Sequence, residues 1–102
     1  MTGDITVTEL KQRLDAGENI NIVDVREPWE FEEFNINGKL IPLGELQGKI
    51  DDLDAWTEEE VVVHCKSGGR SAAAVDFMTR QGFKNARNLA GGMLAWQAQT
   101  GA

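Results

Sequence analysis

The sequence predicts an α/β domain with a largely parallel β-sheet, and three observations lead to this fold class. Short apolar segments alternate with segments of helical character along the whole chain, which is typical of parallel strands joined by helices. The segment at residues 20–26 is apolar on both sides near its end, as a strand covered on both faces would be. With 102 residues, 41% of them hydrophobic, residues 1–102 are expected to form a single domain.

The first two predicted strands flank the first predicted helix. Residues 5–7 (ITV) form a short strand candidate. Thr8 is expected to N-cap a helix that runs through Ala16 and ends at Gly17. Residues 20–26 (INIVDVR) then form the second strand.

Three short elements are predicted next. Residues 27–34 form a short helix, because Pro28 occupies its favoured first position. Residues 40–43 (LIPL) form a strand in which Pro42 suits an edge or an end. Residues 45–53 are predicted to be helical.

The second half of the chain contains the most strongly β-branched strand, VVVHC at residues 61–65. A helix is predicted over residues 70–81, and Gly82 ends it. Residues 86–90 form the last strand and residues 92–99 the last helix. All of the strands are thus separated by helices, as parallel pairing requires.

Charge is distributed unevenly between the two halves of the chain. The net charge is −7, which argues against nucleic acid as a partner. Residues 1–60 contain 5 basic and 16 acidic side chains, whereas residues 61–102 contain 5 basic side chains and a single acid, Asp76. The only cysteine, Cys65, therefore lies in a locally basic half of an acidic protein.

Several classes of protein are excluded by composition. No apolar run approaches the ~20 residues of a membrane helix, and the N-terminus does not resemble a signal peptide, so we expect a cytoplasmic location without membrane binding. One cysteine cannot form an internal disulfide. Because His64 is the only histidine, a thiolate-rich metal site is not expected either.

Cys65 stands at the carboxyl end of a predicted strand, where open α/β sheets bind ligands. Gly68 and Gly69 let the following loop curl so that its amides converge on one point, and the next helix adds the positive end of its dipole. Lys66 and Arg70 add full charges. These features favour a thiolate, so the pKa of Cys65 should lie below the free value of ~8.5.

This segment allows two other interpretations. A free cysteine is often an inert, buried side chain, but a position at a strand exit before K-S-G-G-R favours a reactive one. His64 is the obvious candidate for a general base, yet neighbours on a strand point to opposite faces. We interpret His64 as a sheet-packing residue and expect the loop itself to activate the thiol.

Four segments in order resemble the rhodanese family of sulfurtransferases, in its single-domain form. They are "IVDVREPWEFEEFNING", "IPLGEL", "VVVHCKSGGRSAAA" and "NLAGGMLAW", and together they span nearly the whole chain. The resemblance implies a five-stranded, mainly parallel sheet flanked by helices on both faces. It implies transfer of a sulfane sulfur from an anionic donor such as thiosulfate to cyanide, a small thiol or a protein thiol.

The resemblance also assigns roles to residues. Cys65 is the nucleophile and persulfide carrier, Arg70 closes the loop and supplies charge, and Lys66 attracts the donor. No metal and no organic cofactor is implied. The amides of the loop would cradle the persulfide, and the binding residues in and beside it are Lys66, Ser67, Gly68, Gly69 and Ser71.

Related functions remain as alternatives. Four residues separate Cys65 from Arg70, whereas the phosphatases related to this family have a longer loop, so phosphatase or arsenate reductase activity is a minor alternative. A persulfide relay or a regulatory interaction module is a third class, and the presence of the cysteine is compatible with a carrier.

Three further features carry expectations. Asp24 and Arg26 match the family's Asp-x-Arg pattern and are expected to support the loop structurally. The chain departs from the family's Gly-His-Ile-Pro-Gly-Ala at residues 34–39, which predicts a structural effect first. Trp96 is expected in the core. A solvated helix face is expected for the acids Glu27, Glu30, Glu32 and Glu33.

Overall fold

The computed structural model describes residues 3–101. Within this range the helices are α1 (Val7–Asp15), α2 (Pro28–Glu33), α3 (Leu43–Lys49), α4 (Gly69–Arg80) and α5 (Gly92–Thr100), with a 3₁₀ helix at Ile50–Trp56. The strands are β1 (Asn21–Asp24), β2 (Lys39–Leu40), β3 (Glu60–His64) and β4 (Asn85–Asn88).

The strands of the described range form one parallel sheet in the order β2-β1-β3-β4. The parallel α/β architecture is therefore confirmed, but the sheet has four strands and the prediction of five is wrong. Residues 5–7 contribute only an isolated bridge between Ile5 and Leu89. The cause is local, because the Thr6 hydroxyl caps α1 by accepting the amide of Glu9 at 3.1 Å, so the chain becomes helical at Val7.

Helices cover both faces of the sheet, as expected. One hydrophobic cluster joins Val61 and Val63 of β3 to residues of α3, the 3₁₀ helix and α4. The other joins Val62 to residues of α1 and α5, including Trp96, which lies in the core as predicted. Alternation along β3 thus sends successive side chains into opposite layers, and Cys65 belongs to the layer of α4.

The segment around β2 differs from its prediction. The strand predicted at residues 40–43 is assigned only at Lys39–Leu40, although Ile41 and Leu43 donate backbone hydrogen bonds to Asp24 and Val25 at 2.9 and 3.1 Å. Pro42 then caps α3, which begins at Leu43. In residues 3–101, no helix is both long and apolar enough to cross a membrane.

Candidate active site

The candidate site is the loop that connects β3 to α4. Cys65 directly follows the strand, and Gly68 caps the helix with a φ of 113°. This left-handed conformation is open to glycine at little cost. It turns the chain back over the end of the strand, so that the first turn of α4 faces the cysteine.

Three groups donate to or contact the sulfur of Cys65. The amides of Gly68 and Ser71 donate to Sγ at 3.1 and 3.3 Å, and Ser71 Oγ lies 3.3 Å from it. Burial raises the pKa of the Cys65 thiol, but hydrogen bonds from the Ser71 side chain and from the backbone of Ser71, Gly68 and Ser67 outweigh it and leave the pKa lowered. The loop therefore stabilises a thiolate in a side chain that is only 1% exposed.

The start of α5 fixes the opposite side of the loop. The amides of Met93 and Leu94 donate to the carbonyls of Cys65 and Lys66 at 2.9 and 3.0 Å. Gly92 permits this approach, since a Cβ there would lie 2.5 Å from the Cys65 oxygen. With its carbonyls held by α5, the loop turns its amides towards the sulfur.

The loop also contains positive groups that have no partner among the described residues. In residues 3–101, the amides of Gly69 and Arg70 have no acceptor, and Lys66 has no ion-pair partner. Both amides belong to the first turn of α4, where backbone N–H groups lack helical acceptors. An anion at this position would meet two amides and the helix dipole.

A buried ion pair lies beneath the site. Arg26 donates to both carboxylate oxygens of Asp24, with Nη2 at 2.7 Å from Oδ2, and to the carbonyls of Glu30 and Phe34 at 3.3 and 2.7 Å. Asp24 is fully buried and Arg26 nearly so. The pair thus fixes the position of α2, and its connection to the loop is indirect.

Glu30 provides that connection. Its carboxylate accepts Arg70 Nη1 and Nη2 at 2.7 and 2.9 Å, and also the amide of Glu27 at 3.0 Å. Hydrogen bonds from Arg70 lower the pKa of Glu30 to about 2, against the opposing effect of burial. The terminal nitrogens of Arg70 are therefore directed to Glu30. Among the described residues, the hydrogen bonds to Cys65 Sγ come from Gly68 and Ser71 and none comes from Arg70.

The prediction that Glu30 lies on a solvated face is wrong, because this side chain is 6% exposed. The sequence contained a pattern that predicts the burial of Glu30. Glu27 and Glu30 are three apart at a Pro-initiated helix, which is the spacing at which an N3 glutamate reaches back to the N-cap amide. That contact turns the carboxylate away from solvent.

His64 is buried at the end of β3, and in residues 3–101 neither ring nitrogen has a hydrogen-bond partner. Its Nε2 lies 3.7 Å from Asp24 Oδ2. Burial lowers the pKa of His64 to about 4, so the ring is neutral at pH 7. His64 is not among the groups that contact the sulfur, which agrees with a packing role.

Asn88, at the end of β4, was not predicted to take part in the site. Its Nδ2 donates to the Gly68 carbonyl at 3.3 Å, and its Oδ1 lies 2.5 Å from Ser71 Oγ. The order of the strands in the sheet could have indicated this contact. In a parallel sheet the carboxyl ends of neighbouring strands lie at one edge, so the last residue of the strand beside β3 reaches the loop.

The segment that departs from the family pattern forms a turn after α2. Asn35 donates to the Phe31 carbonyl and accepts the amide of Asn37, both at 2.9 Å. Asn37 has a φ of 64°, a conformation that asparagine tolerates. Ile36, which matches the family pattern, packs against the layer of α1 and α5. The replaced positions Asn35 and Asn37 supply the hydrogen bonds and the positive φ of the turn.

A cavity of about 150 Å³ opens beside the loop, between α2 and α5. Trp29, Phe34 and Met93 give it apolar walls, while Lys66 and Glu33 add charge. Trp29 is 60% exposed. In the described part of the chain, no group of three or more His, Cys, Asp or Glu side chains is placed to hold a metal ion.

Comparisons with known proteins agree with this fold. The family model of the rhodanese-like domain matches residues 6–99. The putative sulfurtransferase YtwF of Bacillus subtilis is 36% identical over 95% of this chain and 92% of its own length. The putative sulfur carrier protein YrkF of the same organism is 39% identical over 95% of this chain, which spans about half of YrkF (52%).

A solved structure gives the same fold. The crystal structure of a rhodanese-related protein from Thermoplasma volcanium superposes with a TM-score of 0.82 at 33% identity, covering 94% of this chain and 91% of that one.

Proposed function

The chain belongs to the rhodanese-like domain family, and from this premise we propose that it is a sulfurtransferase that carries a sulfane sulfur on Cys65. The observation that carries the proposal is the set of donors around Sγ, namely the amides of Gly68 and Ser71 and the Ser71 hydroxyl. The names of YtwF and YrkF, a putative sulfurtransferase and a putative sulfur carrier, give further support.

In the first step, the Cys65 thiolate attacks the outer sulfur of a donor such as thiosulfate. A bond forms between Sγ and that sulfur, the S–S bond of thiosulfate breaks, and sulfite leaves with the electron pair. The products are a Cys65 persulfide anion and sulfite. No general base is needed, because the attacking group is already ionised.

In the second step, an acceptor thiolate or cyanide attacks the outer sulfur of the persulfide. The new bond joins that sulfur to the acceptor, and the bond to Sγ breaks with its electrons left on Cys65. The same amides that stabilise the starting thiolate stabilise this leaving group. The acceptor departs as a persulfide or thiocyanate, and the enzyme returns to its initial state.

The unpaired positive groups of the loop support the proposal of an anionic donor. Lys66 would attract the dianion at longer range, and the free amides of Gly69 and Arg70 would receive the charge on the outer sulfur. Arg70 contributes its charge from a position fixed by Glu30. The side chain of Arg70 is thus proposed to act through the field and through closure of the loop.

A carrier role is the second candidate. The name of YrkF, a putative sulfur carrier protein of which this chain spans about half (52%), supports this role. In a carrier, we propose that the acceptor is a protein thiol. Both versions use the same persulfide and differ in the acceptor. We place the protein in the cytoplasm, where a reactive cysteine stays reduced.

Intact-mass measurement after addition of thiosulfate tests the proposal. We expect a gain of one sulfur atom that a small thiol reverses. The Cys65→Ser variant should keep its circular dichroism spectrum and gain no sulfur, since the hydroxyl does not ionise in this loop.

The control is Thr79→Ala, an exposed position near the far end of α4, which leaves the sulfur and its donors in place and should still be loaded. Sulfur uptake by Cys65→Ser would place the chemistry elsewhere. Hydrolysis of an aryl phosphate by a wild-type protein that takes up no sulfur would support a phosphatase instead.

A further inference from the structure

The hydroxyl of Ser71 has one proton and three possible acceptors. Ser71 Oγ lies 3.3 Å from Cys65 Sγ, 3.2 Å from the Gly68 carbonyl and 2.5 Å from Asn88 Oδ1. Ser71 is fully buried, so the protein itself must supply these partners. The shortest contact is the one to Asn88.

The charge on the sulfur decides which acceptor is best. A thiolate is the strongest of the three, because hydrogen bonds to charged groups exceed those to neutral groups. When the sulfur is a thiol, or the inner sulfur of a persulfide, it is a weak acceptor. The hydroxyl then donates a stronger hydrogen bond to the amide oxygen of Asn88.

We propose that Asn88 is a positioning residue that competes with the sulfur of Cys65 for the Ser71 hydroxyl and so favours the states in which that sulfur carries no charge. The proposal concerns the cysteine loop itself, and its consequence for catalysis rests on the proposed sulfur transfer. Asn88 would stabilise the loaded persulfide, in which the charge lies on the outer sulfur, relative to the free thiolate.

The second contact of Asn88 gives it a fixed orientation. Its Nδ2 donates to the Gly68 carbonyl at 3.3 Å. The side-chain amide therefore presents Oδ1 to Ser71, and the reverse orientation would place an N–H group against the hydroxyl and an oxygen against a carbonyl. Asn88 is held at the loop whichever acceptor the Ser71 proton takes.

Charged groups around the sulfur provide a constant background for this competition. Arg70 on α4 and Lys66 in the loop are the nearby cations, and Glu30 on α2 offsets the charge of Arg70. Arg87 on β4 is engaged by Glu60 and lies in a separate network.

The other charged groups close to the site are paired. Asp24 of β1 and Arg26, two residues after it, offset each other, and the buried His64 is neutral at pH 7. The exposed acids of α2 and of the 3₁₀ helix are screened by solvent. Glu45 and Lys49 of α3 pair with each other at the surface. Helix α5 contains no charged residue. The hydrogen bond from the Ser71 hydroxyl is therefore the interaction at Cys65 Sγ that can change with the charge on the sulfur.

A double-mutant cycle with Asn88→Leu and Ser71→Ala tests this mechanism. The readout is the titration of the thiolate by its ultraviolet absorbance, which needs no sulfur donor. We expect Ser71→Ala to lower the thiolate fraction, because a donor is lost. Asn88→Leu should raise that fraction about threefold at a pH below the pKa, which corresponds to half a pKa unit.

The cycle separates positioning from general damage to the loop. The effect of Asn88→Leu should disappear in the Ser71→Ala background if Asn88 acts through the hydroxyl. An equal effect in both backgrounds, or none in either, would overturn the proposal. Asn88→Ala is the substitute if Asn88→Leu fails to fold.

Persulfide lifetime gives the second readout. A cysteine with a lower pKa is a better leaving group, so loaded Asn88→Leu should lose its sulfur to dithiothreitol faster than the wild type. Slower or unchanged loss would contradict the catalytic part of the inference. If no variant takes up sulfur, the proposed function fails while the titration still decides the role of Asn88.

Discussion

The two ends of strand β3 carry ion-pair networks of different construction. At its start, Glu60 accepts Arg13 Nη2 at 2.5 Å and Arg87 Nη1 at 2.8 Å, and these side chains are about one-fifth exposed. Past its other end, buried Asp24 and Arg26 fix α2, and Glu30 of α2 holds Arg70 beside the sulfur of Cys65.

The two networks differ in their contact with solvent, and we expect them to differ in their effects on stability and on the site. Around Glu60, charges are directed mainly to one another and remain in contact with solvent, which screens them. In the second network, the charges of Asp24, Arg26 and Glu30 are buried and also bonded to backbone, so the loss of one leaves an uncompensated group. The first network should tune stability, whereas the second should set the geometry of the site.

The largest effect is expected for Asp24→Ala. This change leaves Arg26 charged and buried without its partner, and we expect the free energy of unfolding to fall by about 3–5 kcal/mol. Denaturant unfolding measures the loss. Persulfide loading should also decline as α2 and Arg70 shift. Asp24→Asn, which keeps one acceptor oxygen, should be less severe, and equal losses in the two variants would contradict a role for the charge.

A smaller effect is expected from the titration of His64. Its pKa is lowered to about 4 in the folded protein, against ~6.5 in the unfolded chain. Between these values the unfolded chain binds a proton that the folded protein does not, so stability falls as the pH falls. The loss attributable to His64 should be about 2 kcal/mol between pH 7 and pH 5.

His64→Leu should abolish that part of the pH dependence and be nearly neutral at pH 7, because no hydrogen bond of the ring is lost. Thermal unfolding at both pH values checks this. The pKa of Glu30 is lowered from 4.5 to about 2, so its contribution to stability is lost mainly below pH 4.5. It therefore does not interfere with the comparison between pH 7 and pH 5. An unchanged pH dependence in His64→Leu would assign the titration to another group.

The smallest effect is expected at the start of β3. Glu60→Gln removes the charge that Arg13 and Arg87 share, and we expect a loss of about 1 kcal/mol in the free energy of unfolding. Thiosulfate loading should be unchanged. A loading defect in Glu60→Gln as large as that of Asp24→Ala would show that the two networks do not differ in function.

Local patterns predicted most of the elements, and their limits are instructive. The apolar run before Cys65 and the two glycines after it fix a strand, a loop and a helix from neighbouring residues alone. The strand predicted at residues 5–7 was wrong because Thr6 caps the helix, two residues before the expected cap at Thr8. Two competing local signals overlapped there, and hydrogen bonding to Glu9 decided between them.

The partners of the site residues were less accessible to sequence reasoning. Glu30 looked like one acid among several, and Asn88 like an ordinary strand residue. Their roles depend on contacts with Arg70 and Ser71, which lie 40 and 17 residues away in the chain. Such contacts arise from strand order and helix placement.

The periodicity of the sequence predicts the parallel α/β architecture, four segments that resemble the rhodanese family identify the family, and neighbouring residues place Cys65 directly after a strand. The folded structure was needed to show that Arg70 is held by Glu30, that the Ser71 proton has a second acceptor in Asn88, and that α5 holds the loop carbonyls. The physical reason is that hydrogen bonds between distant segments are specific in distance and angle, and folding must first bring those segments together.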